Sequence, residues 1–272
     1  MISVIDSVMG SGKTSFMINM IKDNPDKKYC YITPYLAEVQ RVKDNCQNFV
    51  EPEINKRTGE TKLYDFNKML ESGVNVVSTH ALFKNTNGYT LDALKKHNYT
   101  LIMDEVLEVV STDGFKKDDL PTILAANLAH IDESTGYLVW DKDDYDGAYN
   151  KIKNLCKSKC VTVIDNQVLI WTFPANIFNY FSEVYVCTYM FDVQILKHYF
   201  DLHKLSYKKH SAIKNNDSGL YELCEYNPNE DRSYFKINIY TGKKNNCGTY
   251  KVTGKVSYED KKTSYEKSST TS

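Results

Sequence analysis

The chain has 272 residues, 42% of them apolar and 25% charged, with a formal net charge of −1; this is the make-up of an ordinary globular protein long enough to bury a sizeable core. A near-neutral balance excludes binding to duplex DNA through a broad basic stripe, since only short clusters such as Lys208-Lys209-His210 occur. No run approaches the ~20 apolar residues of a membrane-spanning helix, so no membrane partner is expected.

The first residues lack a secretory pattern. Seven cysteines are scattered, and no second pair stands beside Cys156 and Cys160 to complete a zinc site. Free thiols in a reducing cytoplasm are the expectation.

In chain order, Ile2 to Ile5 reads as a buried strand. A glycine-containing turn follows, Ser7-Val8-Met9-Gly10-Ser11-Gly12-Lys13-Thr14-Ser15, and then a helical run from Phe16 to Ile21. Strand, turn and helix in this order make a phosphate-binding loop. Backbone N–H groups of the turn and of the helix start converge on one anion. Gly10 and Gly12 let the backbone approach phosphates without a Cβ. Lys13 is placed to reach the β- and γ-phosphates of ATP, and the Thr14 hydroxyl to bind Mg²⁺. Ser7, Gly10, Ser11, Gly12, Lys13, Thr14 and Ser15 are therefore the expected nucleotide-binding residues, although the strict pattern begins with Gly where Ser7 stands.

Asn24-Pro25-Asp26 is a stop signal. Strands are predicted at Tyr29–Thr33, Val74–Ser78 and Tyr99–Met103, and helices at Leu36–Asn48, Leu63–Leu70 and Leu91–Lys96, with a polar loop over 50–62. The alternation predicts an α/β fold, a parallel sheet flanked by helices, whose ligands sit at the carboxyl ends of its strands. The strand at 99–103 ends in Asp104-Glu105. Asp104 is expected to hold the Mg²⁺, and Glu105 to polarise the attacking water as general base; an acidic helix cap is the alternative.

Four segments in order resemble the first RecA-like lobe of superfamily 2 helicases, particularly the DEAD/DEAH-type helicases of bacteriophages: Ser7 to Thr14 (motif I), Tyr31-Ile32-Thr33-Pro34-Tyr35-Leu36 (motif Ia), Val76-Val77-Ser78-Thr79-His80-Ala81-Leu82-Phe83 (a nucleic-acid-contacting motif) and Asp104-Glu105-Val106-Leu107 (motif II). A fifth segment, Val184 to Phe191, stands where motif III belongs, which makes Thr188 a coupling candidate. The resemblance spans about residues 1–200. It implies a P-loop NTPase with a RecA-like sheet, ATP and Mg²⁺ as cofactors, and a single-stranded nucleic acid, DNA favoured, as partner. It further implies that Thr33, Pro34, Arg41, Thr79 and His80 touch the strand's backbone, for which hydroxyls and N–H groups suffice. The residue types alone allow plainer readings, a strand terminator at Thr33-Pro34 and a structural histidine at 80.

Residues 107–181 read as an α+β insertion. Helices are predicted near Leu120–Leu128 and Tyr145–Leu155, strands at Gly136–Trp140 and Val161–Trp171, with Asp165-Asn166 as a hairpin turn. The acidic run Asp141–Asp146 lacks the Gly and Glu positions of a calcium loop. Trp140 and Trp171 read as core residues before base-stacking ones. Residues 201–240 are expected to be a partial second lobe or an extension, with a strand pair in Tyr207–Tyr226, and residues 241–272 a polar, disordered tail.

The resemblance also implies a second RecA-like lobe that brings arginines to the γ-phosphate. Only Arg41, Arg57 and Arg232 occur, so the expectation is an ATP-binding lobe that hydrolyses slowly alone and takes its arginine from a lobe in trans. A P-loop nucleoside or nucleotide kinase and a non-hydrolysing ATP-binding docking module are the rival classes, and a DNA-packaging motor a weaker one. Phosphate transfer to nucleosides separates the first rival, and insensitivity to Glu105→Gln the second.

Overall fold

A computed structural model describes residues 1–227. The tail expected from 241 onward lies outside the described residues, as do 228–240. The elements alternate from the start: β1 (Ile2–Asp6), α1 (Lys13–Asp23), β2 (Lys28–Thr33), α2 (Leu36–Asn45), β3 (Phe49–Val50), α3 (Lys62–Ser72), β4 (Asn75–Thr79), α4 (His80–Phe83), α5 (Gly88–Leu94) and β5 (Tyr99–Asp104). The insertion supplies β6 (Val110–Ser111), α6 (Asp119–Ala125), β7 (Ala129–Ile131), β8 (Leu138–Trp140), α7 (Asn150–Lys157), β9 (Val161–Ile164) and β10 (Val168–Thr172). The chain then returns through β11 (Glu183–Thr188), α8 (Ile195–Leu202), β12 (Tyr207–Lys214) and β13 (Tyr221–Glu225).

Local chemistry sets several boundaries. The Thr61 hydroxyl accepts the Tyr64 N–H and starts α3, and Gly73, left-handed at φ 73°, ends it. Asn87 and Thr90 form a reciprocal capping box at α5. Asp165 and Asn166 both lie at positive φ in the turn that joins β9 to β10 through three residues, closed by the Gln167 N–H donating to the Ile164 carbonyl at 3.0 Å. Helix α2 is shorter than its periodicity suggests, because the chain turns extended at Cys46 to enter the short edge strand β3.

Eight strands form the main sheet in the order β13-β12-β1-β11-β5-β2-β4-β3. All neighbours are parallel except the β12–β13 hairpin. From β1 the chain crosses over β11 and β5 to reach β2, which opens a crevice at the carboxyl end of β1, where parallel sheets bind ligands. The register brings the strand ends level: Asp6 pairs with Thr188, Cys187 with Asp104, Ile32 with Met103, and Thr33 with Thr79.

Successive strand residues face opposite sides of the sheet, and both sides are covered. Val4, Ile32, Leu101, Met103 and Val186 pack with Phe83, Phe173 and Phe200. Ile5, Tyr31, Val77, Ile102 and Cys187 pack with Met17 and Ile18 of α1 and Val39 and Val42 of α2. The insertion folds as antiparallel β6-β10-β9 and β7-β8 around its own core of Leu120, Ile123, Leu138, Ile152, Val163 and Leu169. Trp171 is buried against the main core. Residues 207–225, expected as the start of a second lobe or an extension, pair onto the edge of this same sheet at β1. No helix among the described residues is long and apolar enough to cross a membrane.

Candidate nucleotide site

The turn between β1 and α1 holds itself open from within. Ser11 N–H donates to the Val8 carbonyl at 3.2 Å, closing a tight turn. Lys13 is buried, and its ammonium donates to the Ser7 and Val8 carbonyls at 2.6 and 3.1 Å. Gly10 and Gly12 lie at φ 79° and 93°, a region costly for residues with a Cβ. A Cβ at Gly10 would meet open space. The Ser11 hydroxyl is buried without a partner, which a buried polar group rarely tolerates. A phosphate oxygen would satisfy it. Ser15 lies in the first turn of α1, whose leading N–H groups have no partner inside the helix.

The acidic pair comes to this turn across 90 residues of sequence. Thr14 Oγ1 donates to Asp104 Oδ2 at 3.0 Å. Tyr31 Oη donates to the same oxygen at 2.9 Å from the neighbouring strand. Burial raises Asp104 above the usual carboxylate range; the Tyr31 and Thr14 hydroxyls oppose the rise, Glu38 adds to it, and Lys13 opposes it. Tyr31 is itself held well above the usual phenol value, by burial first and then by Asp104. Glu105 lies at the surface, yet enough protein surrounds its carboxyl that desolvation raises it, with Lys13 opposing and Asp104 adding. A group raised in this way suits a proton acceptor working near neutral pH. Glu105 sits at φ 67°, and its N–H donates to the Cys187 carbonyl at 2.9 Å. A non-glycine residue held left-handed costs about 1–3 kcal/mol; here the bond to β11 fixes it.

The residues fit a magnesium–nucleotide. Thr14 and Asp104 present two oxygens side by side, and Lys13 presents a cation inside the turn. Among the described residues no three His, Cys, Asp or Glu side chains gather into a ready-made metal cage, so phosphate oxygens would complete the coordination.

Other expected residues lie around this centre. Ser7 anchors the loop rather than opening it: its N–H donates to the Thr188 carbonyl at 3.1 Å, and its Oγ accepts the Ala212 N–H at 2.7 Å. Thr188 is buried, its hydroxyl bound to Gln194 Oε1 at 3.0 Å. Through these bonds β11 touches both the phosphate turn and Glu105. Thr33 is fully buried, with no partner for its hydroxyl; it ends a central strand and presents nothing at the surface. Thr79 caps α4 by accepting the Leu82 N–H. His80 turns inward beside the Asp104 backbone with its Nε2 buried and unpartnered, and desolvation pushes it down to about 4, so it is neutral at pH 7. Pro34 is half-buried. Arg41 is exposed and paired with Glu38 at 3.2 Å. The centre thus gathers the phosphate turn, Asp104, Glu105 and Thr188, while Arg41 alone of the expected strand contacts presents a charge to solvent. Tyr31 was missed as a site residue. Its contact follows from the pairing of β2 with β5, which sets Tyr31 opposite Ile102 on the face that Asp104 shares, and no local run of residues signals that pairing.

Comparison with known proteins gives the same picture at the level of family. Residues 2–132 match the family described as type III restriction enzyme, res subunit, and residues 110–171 match the YonV middle domain. The chain is 39% identical over 264 residues to the SPbeta prophage-derived uncharacterized protein YonV of Bacillus subtilis (strain 168), covering 91% of this chain. It spans 63% of that relative's length. Two crystal structures of the DUF1998 helicase MrfA, one bound to DNA and one to DNA and AMPPNP, align at 11% identity with TM-scores of 0.34 and 0.32. They cover 77% and 88% of this chain and 25% and 28% of their own. Over residues 2–132 the chain thus resembles the type III restriction enzyme res subunit, and its P-loop α/β lobe resembles the N-terminal RecA-like lobe of superfamily 2 helicases.

Proposed function

We propose that this lobe binds ATP with Mg²⁺ and hydrolyses it in response to a single-stranded nucleic acid, DNA favoured, as part of a motor of phage replication or recombination. The observation that carries the reading is the 3.0 Å contact between Thr14 and Asp104. It joins the phosphate turn to the acidic strand end at one point. Lys13 gives up its bonds to the loop carbonyls and donates to the β- and γ-phosphates. Thr14 and Asp104 hold the magnesium, which supplies charge neutralisation to the phosphate oxygens. Glu105 accepts a proton from the water that attacks the γ-phosphorus, as the bond to the bridging oxygen breaks and ADP leaves. Thr188, bonded to Gln194 and to the loop through Ser7, relays changes between this centre and the segment after β11.

The lobe's own arginines do not supply the transition-state charge in this reading. Arg41 is engaged by Glu38, and Arg57 stands in the exposed turn 55–60; Arg232 lies outside the described residues. An arginine delivered across the site is worth about 10³–10⁵ in rate. A second RecA-like lobe would bring it. Exposed apolar side chains at the carboxyl edge of the sheet support such a contact: Met9 after β1, Tyr35 and Leu36 after β2, and Met190, Val193 and Ile195 after β11. Residues 1–227 are then one ATP-binding unit, insertion included.

Steady-state ATP hydrolysis by this chain, with and without single-stranded DNA, tests the proposal. Measurable ATP binding with slow turnover is expected. Rapid strand-stimulated turnover by the chain alone overturns the need for a second lobe, and absence of ATP binding overturns the nucleotide reading.

A further inference from the structure

A triphosphate has two ends, and the lobe fixes which lies where. Strand β1 has β11 on one side and β12 on the other. Thr14 reaches Asp104 on the β11–β5 side, so the magnesium and γ-phosphate belong there. A nucleotide whose phosphates run along the turn away from that side brings its ribose and base toward β12 and β13.

On that side a hairpin is fastened to the phosphate turn. The Ala212 N–H of β12 donates to Ser7 Oγ at 2.7 Å. Leu223 of β13 packs on the same core cluster as Phe16 and Met20 of α1. Tyr221, paired across the hairpin with Lys214, lays its ring against Gly12. A Cβ on Gly12 would stand 2.0 Å from Cε1 and 2.1 Å from Cδ1 of that ring, far inside van der Waals contact. The left-handed glycine both shapes the turn and makes room for the aromatic ring. Tyr221 is not buried; part of its surface is left for a ligand.

We propose that Tyr221 is the platform on which the ribose and base of the bound nucleotide rest. The proposal deepens the nucleotide reading above and depends on it. A phenol ring offers a flat apolar face, and every base has a π-face to set on it, so this contact serves ATP and GTP alike. The rest of the affinity comes from the phosphates, held by Lys13 and the turn.

The test is equilibrium binding, by calorimetry with Mg²⁺ on the full chain, of ATP, GTP and inorganic tripolyphosphate. Removing the ring in Tyr221→Ala is expected to weaken ATP and GTP about tenfold, the scale of one stacking contact, and to leave tripolyphosphate binding unchanged. Tyr221→Phe should keep wild-type affinity for all three. Tyr221→Leu keeps apolar bulk against Gly12, guards against a folding defect, and should lose the nucleotides as Ala does. Unchanged ATP affinity in Tyr221→Ala and Tyr221→Leu overturns the platform while the phosphate site stands. Equal loss of ATP and tripolyphosphate also overturns it, since the ring then only braces the turn. If the wild type binds neither, the nucleotide reading itself has failed.

Discussion

The carboxyl edge of the main sheet and the insertion handle polarity in opposite ways. At the edge, Asp6, Lys13, Thr33, Asp104 and Thr188 are buried, most of them at the last residue of a parallel strand or just beyond it. In the insertion the core is apolar, and Asp119 is its one buried charged residue among those described, satisfied by the Lys116 N–H at 2.7 Å. The acidic run at 141–146 stays at the surface, where His130 and Lys157 pair with Asp141 and Asp143. Buried polar groups cost stability unless well partnered. The edge leaves the Ser11 and Thr33 hydroxyls unpartnered, while among the described residues of the insertion only Asn150 Oδ1 is so left; the insertion is built mainly for packing. Substitutions at the edge should therefore change chemistry more than stability, and those in the insertion the reverse.

The largest expected effect is at Glu105. Glu105→Gln keeps size and removes the proton acceptor, so turnover should fall about 10²–10⁴-fold with ATP affinity and melting temperature unchanged. Because desolvation raises Glu105, the acid limb of the wild-type rate profile should begin above the range of an ordinary glutamate. Unchanged turnover in Glu105→Gln would assign the base elsewhere.

The counterpart in the insertion is Leu169 of β10, paired with Val163 of β9 and buried in the small core. Leu169→Ala should cost about 2–5 kcal/mol in urea unfolding while ATP affinity under folding conditions holds. Loss of affinity without loss of stability would show that the insertion takes part in the site.

His80 joins the two behaviours. Its folded value, about 4, lies below the ordinary 6.5, chiefly through desolvation. The unfolded chain takes up the proton first, so stability falls as pH drops below about 6.5 and the loss levels off below about 4. Between pH 7 and pH 5 this group should remove about 2 kcal/mol. His80→Gln should abolish that part of the slope, as read by urea unfolding at the two pH values.

Much of this was legible in the sequence, for local reasons. Apolar runs of four to six residues, a glycine turn before Lys13-Thr14, and Asp104-Glu105 at a strand end each carry their signal within a dozen residues. Contacts between strands do not. Tyr31 meets Asp104 across 73 positions, and Ser7 meets Ala212 across 205; which strand neighbours which decides both. Thr33 is expected at a nucleic-acid strand through its place in the motif Ia segment, not through the proline that follows. It is buried because β2 lies between β5 and β4 in the sheet. His80 likewise turned inward, since β4 places it beside the backbone of Asp104.

The smallest effect is the most discriminating. Tyr31→Phe deletes one hydroxyl from Asp104 and leaves the ring buried in the core. That hydroxyl stabilises the charged carboxylate, one of the influences holding Asp104 down against burial. Without it the folded value rises further above the unfolded one. The folded state then binds the proton more readily than the unfolded chain, and stability falls as pH rises through the folded value. The defect should be about 1 kcal/mol at pH 7 and shrink as the pH is lowered and the carboxyl protonates. Activity should move the same way, with the Mg²⁺ requirement rising because a more readily protonated Asp104 is a poorer ligand. A defect of equal size at acid and neutral pH would mean the hydroxyl only fills space, and the buried polarity of this edge would then owe less to its carboxylate than to its packing.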